Sequence, residues 1–114
     1  MGTHVGNYLI TEAVILAGGT FTSPAIGIEK AQACAVHTQA LAGTGVDIGY
    51  TYTLSTSKDG TYVAGEATIN ASRSAVGVDD WVPEPASFMK VVITNNNGAN
   101  PLTALKVVLS VQED

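Results

Sequence analysis

Cys34 and His37 stand three residues apart, the CxxH spacing of half a metal site, and a thiol beside an imidazole is also the pair that an activated cysteine nucleophile requires. On an extended strand, residues three apart point to opposite faces, so the two side chains separate there. A closed zinc site needs four ligands, and the chain offers one cysteine and two histidines, the second being His4 near the start. No metal and no cofactor is expected, and Cys34 reads as a small core residue. Among the ten carboxylates, the one adjacent pair ahead of the terminal Glu113-Asp114 is Asp79 and Asp80. They lack the alternating acidic positions of a calcium loop, and nothing sets two carboxylates across a cleft for glycoside hydrolysis. Solvated loop carboxylates are the plainer reading. Trp81, Tyr8, Tyr50, Tyr52 and Tyr62 are of the types that stack on sugars, but Tyr50 and Tyr52 fall on the apolar side of their segment. Trp81 remains available for a ligand or a neighbouring subunit, or else serves as a lid on the core. Asn70-Ala71-Ser72 matches a glycosylation sequon and, with no leader expected, is a coincidence. The loop Asn95 to Pro101 lacks a phosphate-cradling pattern, and its tip, with Asn96 and Asn97, is available for contact.

The elements that must position these residues are strands. Val46, Ile48, Tyr50, Tyr52 and Leu54 alternate strictly with Asp47, Gly49, Thr51 and Thr53, the period of two of a half-buried strand. Ser57-Lys58-Asp59-Gly60 follows as a turn, with Asp59 and Gly60 suited to positive φ, and Thr61 to Val63 return as the hairpin partner. Ahead of this strand, residues 1–12 read as an N-terminal arm and lead-in, and 13–114 as a single domain. A strand over Ala13 to Ala17 stops at Gly18-Gly19, and short extended pieces follow at Thr20 to Thr22 and Ala25 to Ile28. Glu29 to Ala42 has helical composition without a helical apolar stripe; its neighbours favour a strand over Gln32 to Ala40. Ala67 to Ala71 alternates, Arg73 to Asp80 reads as loop, and Pro83 and Pro85 bar a central strand beyond Trp81. Met89 to Ile93 and Leu105 to Val111 both alternate, and an antiparallel pair across the Asn-rich loop is expected. About seven or eight short strands with turn signals between them predict an all-β fold, an antiparallel β-sandwich of jelly-roll-like or Ig-like type.

Composition limits the partners. The 114 residues are 46% hydrophobic and only 13% charged, with a formal net charge of -5, against about 25% charged in ordinary domains. Nucleic acid is not an expected partner, since phosphate binding needs clustered Lys and Arg and Lys30, Lys58, Arg73, Lys90 and Lys106 are scattered. No membrane segment is expected, since no apolar run nears the ~20 residues that span a bilayer, and no signal peptide is expected at the N-terminus. A charge-poor surface built from Thr, Ser, Asn, Gln and Gly fits a sheet facing water, or faces covered by copies of the chain.

The run LAGGTFTSPAIGIE, then VDIGYTYTLSTSKDGTYV, then FMKVVITNNNGANPLTALKVVLSV resembles the small β-sandwich decoration, or cement, proteins of tailed bacteriophage capsids. The likeness covers about Val14 to Val111 and rests on an extended opening strand, a sheet strand ending in Ser-Lys-Asp-Gly-Thr-Tyr, and a closing pair of strands. It implies a non-enzymatic virion structural protein, made in the host cytoplasm, that binds the major capsid protein on the capsid exterior as a symmetric homo-oligomer, with a trimer favoured. The candidate interface, read from the chain itself, comprises His4, Val5 and Tyr8 of the arm together with Trp81, Asn96 and Asn97. The second reading is a carbohydrate-binding or adhesion module using Trp81 and the loop tips. Ser57 to Tyr62 also resembles the Asp box of sialidase-like propellers, but no residue separates Asp59 from Gly60 and no repeat exists, so only the turn role of Asp59 and Gly60 carries over.

Overall fold

The computed structural model describes residues 4–113. Ten strands and no helix occur among them: β1 (His4–Ile15), β2 (Thr20–Thr22), β3 (Ile26–Gly27), β4 (Ala31–Gly43), β5 (Ile48–Ser55), β6 (Val63–Ala64), β7 (Asn70–Arg73), β8 (Gly77–Trp81), β9 (Phe88–Asn95) and β10 (Leu102–Glu113). They form two antiparallel sheets. One has four strands in the order β1-β10-β4-β8; the other has β2-β9-β5-β6, with β3 beside β9 and β7 beside β5. The expected β-sandwich is therefore present, with ten strands where seven or eight were anticipated.

The core lies where alternation demanded it. From β5, Ile48, Tyr50, Tyr52 and Leu54 point inward against Met89, Val91 and Ile93 of β9; Leu105, Val107, Leu109 and Val111 of β10 and Val36 of β4 meet them from the opposite sheet. Each aliphatic side chain so enclosed contributes about 1.5–3 kcal/mol. Alanine-rich β4 is a strand because pairing on both sides overrides composition: Cys34, Val36 and Thr38 face the core, and the strand is bonded to β10 and to β8.

Four expectations are corrected. His4 to Glu12 are not a lead-in: they form most of β1, which pairs with β10 from His4 opposite Glu113 to Ile15 opposite Leu102. Met1 to Thr3 lie outside the described residues. A register shift between Leu9 and Thr11 leaves Ile10 and Thr11 both buried, and such a bulge erases the alternation that would have revealed the strand. Second, Arg73 to Asp80 is not simply a loop, since it includes the end of β7 and most of β8. Third, β9 and β10 do not pair with each other. Both alternate because each lines the core from its own sheet, and the loop between them crosses the sandwich. Fourth, the turn at Ser57 to Gly60 is closed by the Gly60 N–H donating to the Ser57 carbonyl at 3.1 Å, but neither Asp59 nor Gly60 has positive φ. That conformation occurs at Gly18, Gly43 and Gly45.

Candidate interaction surface

The outward side chains of the four-stranded sheet form cross-strand rows fixed by the register. Val5, Gln112 and Ala33 make one row; Asn7, Ser110, Ala35 and Asp80 the next; Leu9, Val108, His37 and Val78 the third; Glu12, Lys106 and Ala40 the fourth. Charge is confined to Glu12, Lys106 and Asp80, at the margins of the face. Val5, Leu9 and Val78 are each more than half exposed. Because Ala33 and Ala35 are small, the centre is hollowed into an open recess of about 350 Å³ bounded by Val5, His37, Ser110 and Gln112, with Asp80 as its one carboxylate. A wide, charge-poor β face with a shallow trough and apolar rows suits contact with another folded surface.

One polar constellation crosses this face, and its spacing in the sequence gave no sign of it. Ser110 Oγ donates to Asn7 Oδ1 at 2.5 Å and lies 3.0 Å from His37 Nε2. A serine next to an imidazole invites a nucleophilic reading. Here the serine proton is directed to the Asn7 amide oxygen rather than to the imidazole. The arrangement ties β1, β10 and β4 together. Only the cross-strand register, which the sequence does not print, brings residues 7, 37 and 110 side by side. Cys34 and His37 occupy opposite faces as the strand geometry required: Cys34 is 2% exposed, and burial pushes its thiol up to about 11. No cluster of three potential metal ligands exists among the described residues.

The remaining carboxylates of note are structural. Asp79, inward on β8, accepts from Arg73 Nε and Nη2 at 2.6 Å each and from Asn70 Nδ2 at 2.9 Å. The Arg73 guanidinium, with Asn70 assisting, holds the Asp79 carboxyl below its ordinary range. This forked pair joins β8 of one sheet to β7 of the other and closes that side of the sandwich. Glu84 does the same lower down. It accepts from the Glu66 N–H at 2.6 Å and from Tyr52 Oη at 2.7 and 2.8 Å, which lowers its pKa. Tyr50 Oη meets Thr38 Oγ1 at 2.5 Å across the core, and burial raises its pKa to about 12.

The residues expected at an interface are dispersed. His4, Val5 and Tyr8 lie on β1, the free edge of the four-stranded sheet. Trp81 sits at the far end of the other edge strand and is only 9% exposed, with its ring 5.6 Å from that of Tyr52. It packs over the core, with little of its ring left to solvent. Its Nε1 is the buried side-chain nitrogen or oxygen without a hydrogen-bond partner among the described residues. Asn96 and Asn97 belong to a knot. Asn96 Nδ2 donates to Asp47 and to the Ala71 carbonyl, while Asn97 Nδ2 donates to the carbonyls of Thr44 and Gly45. Asn95, which the sequence did not single out, is 1% exposed and reaches the carbonyls of Ile15, Leu16 and Asn100. Three consecutive amides thus tie three different loops. The run of asparagines was legible as a loop but not as a tie, because its partners lie up to 80 residues away.

No protein-family model matches the chain, and no curated protein matches it in sequence. Its likenesses are to solved structures. The SPBc2 prophage-derived protein YomS superposes with a TM-score of 0.62 at 13% identity, covering 99% of this chain and 96% of YomS. The chain shares the fold of this prophage-derived protein. The PBSX exported protein XepA superposes with a TM-score of 0.72 at 12% identity over 96% of this chain. The infectious bursal disease virus VP2 subviral particle does so with 0.57 at 12% over 96%. The chain spans about a third of the length of each of these two larger proteins, 37% and 32% respectively. At such identities the likeness is one of fold.

Proposed function

We propose that the protein is a non-enzymatic virion structural protein, a decoration protein that seats on the exterior of a tailed-phage capsid through the outer face of its four-stranded sheet. The observation that carries this reading is that face: four strands wide, hollowed at Ala33 and Ala35, and nearly free of charge except at its margins. Likeness in fold to a prophage-derived chain over nearly its whole length, and to a chain of a viral particle, supports it. The polar side chains that a hydrolase would use are occupied in holding strands together.

Binding here is by area. A rigid face meets the major capsid protein, and repetition of a modest contact by symmetry raises avidity. The family resemblance implies a trimer, but seating through this face does not depend on the number of copies. The test is co-sedimentation of the purified protein with expanded tailed-phage capsids stripped of accessory proteins. The wild type is expected to pellet with the capsids, and Ala35→Lys, which fills the recess with a charge, to remain in the supernatant while still folded. Equal pelleting of the two, or none by the wild type, overturns the proposal.

A further inference from the structure

Four edges bound the two sheets, and three are short or guarded. In the six-stranded sheet the margins are made by β2 and β3 on one side, of three and two residues, and by β6 and β7 on the other, of two and four. β8 has five residues, among them Asp79 and Asp80, and Pro83 follows closely. β1 is different. It runs for 12 residues, HVGNYLITEAVI, with no lysine, arginine or proline and with Glu12 as its one carboxylate. Val5 at 52%, Leu9 at 57% and Val14 at 57% exposure stand on it. A long edge with a single charge and no proline presents unpaired N–H and C=O groups, and natural sheets avoid leaving one bare unless another strand covers it.

We propose that β1 pairs antiparallel with β1 of a second copy across a two-fold axis at Asn7, which joins two four-stranded sheets into one of eight strands. The occupant is a second copy because the stretch is complementary to itself. About Asn7, Val5 falls opposite Leu9 of the other chain and Leu9 opposite Val5, all on the outer face, so the exposed aliphatic groups cover one another. Gly6 falls opposite Tyr8 on the inner side, where Tyr8 of each chain already lies over its own Gly6. The register shift between Leu9 and Thr11 ends the regular stretch. Both copies of Glu12 therefore lie outside it, and no like charges are opposed. A slip of one residue would set outward side chains against inward ones. This pairing is separable from capsid binding: it uses the edge of the sheet and shares only Val5 with the rim of the recess, so Ala35 at its centre stays uncovered.

Sedimentation velocity on the full chain, from micromolar to millimolar concentration, tests the proposal. The wild type is expected at the mass of two 11.7 kDa chains. Leu9→Lys should weaken the dimer tenfold or more with an unchanged circular dichroism spectrum, whereas Val63→Lys, on the 65%-exposed position of β6, should leave it intact. Asn7→Cys supplies the register. Directly opposed residues in an antiparallel pair have Cα atoms about 4.5–5.5 Å apart, within the range of a disulfide, so mild oxidation should link the chains at position 7 and fail to do so in Glu12→Cys. Buried Cys34 does not compete. A monomer throughout, a trimer indifferent to Leu9→Lys, or a dimer that Asn7→Cys does not link overturns the pairing. Each of these outcomes is independent of whether the protein pellets with capsids.

Discussion

The two edges of the four-stranded sheet pose one physical problem and meet it in opposite ways. At β8 the chain covers its own edge. The Arg73–Asp79 fork bridges to β7, Tyr52 and Glu84 close the gap below, and Trp81 lies over Tyr52. At β1 no comparable latch exists among the described residues, and aliphatic side chains stand in solvent along 12 residues. Each edge strand is hydrogen-bonded to its inner neighbour, β1 to β10 and β8 to β4. What differs is the side chains set on the outer rim: carboxylates, an arginine partner and nearby prolines on one, Val and Leu on the other. A difference of this kind marks β8 as a boundary and β1 as a joint.

The largest effect should come from cutting into the latched side. Tyr52 is 1% exposed, packs on Trp81 and donates to Glu84. Tyr52→Asp buries an unpaired carboxylate and leaves Glu84 without its partner, and several kcal/mol are lost. The variant should be unfolded by near-ultraviolet circular dichroism at 25 °C, while Thr51→Asp, one residue away on the exposed face, should retain the native spectrum. A folded Tyr52→Asp protein would show that the latched side carries little of the stability.

Asp79→Ala should come next. It strands the Arg73 guanidinium and the Asn70 amide, and hydrogen bonds to charged groups at such part-buried sites are worth about 1.5–3 kcal/mol. Urea titration should show a loss in the lower half of that range, because the fork is not sealed from water. The effect has a direction in pH. Asp79 is held below its ordinary value of 3.8 by Arg73, so the folded form binds fewer protons than the unfolded chain in mild acid. The stabilisation is complete above the unfolded pKa and is lost as pH falls through the folded one. Wild type and Asp79→Ala should therefore differ fully at neutral pH and converge as the solution is acidified below about pH 4. A gap that persists at low pH would assign the effect to packing and not to charge.

These latches explain what could and could not be read from the chain. Alternation in Val46 to Leu54 located β5 and its inward face, and the same signal found β9 and β10, since each of these strands runs between a wet side and a dry one. It could not say that β9 and β10 belong to different sheets, because two strands lining one core from opposite sides have the same pattern. Bulges hid β1: Ile10 and Thr11 are buried in succession, so the segment showed no period. Asp79 looked like a loop acid because its partner, Arg73, and its sheet, completed by β4, are set by pairing rather than by local sequence. The tie made by Asn95 and the contact among Asn7, His37 and Ser110 were illegible for the same reason.

Trp81→Phe should be milder still. The indole Nε1–H is buried without an acceptor, and an orphaned donor of this kind costs about 1–3 kcal/mol. Phenylalanine removes that cost while retaining a ring against Tyr52, so its smaller volume should be largely offset. Denaturant midpoints should place Trp81→Phe within about 1.5 kcal/mol of wild type, against a loss of about 3–5 kcal/mol for Trp81→Ala.

On the open edge, the same kind of change should do almost nothing to a single subunit. Leu9 is 57% exposed, and an exposed substitution without a lost partner usually shifts stability by less than about 0.5 kcal/mol. Dilute wild type and Leu9→Lys should therefore unfold at matching temperatures. With rising concentration the two should part. A dimer forms only between folded chains, so mass action raises the wild-type midpoint as concentration increases. A lysine on the edge, hydrated and repelled by its counterpart, removes that linkage, and the variant's midpoint should stay flat. Two parallel flat lines would show that β1 is a bare edge and no joint. A slope in the wild type alone would show that the residues making this edge expendable to one copy are those that bind the second.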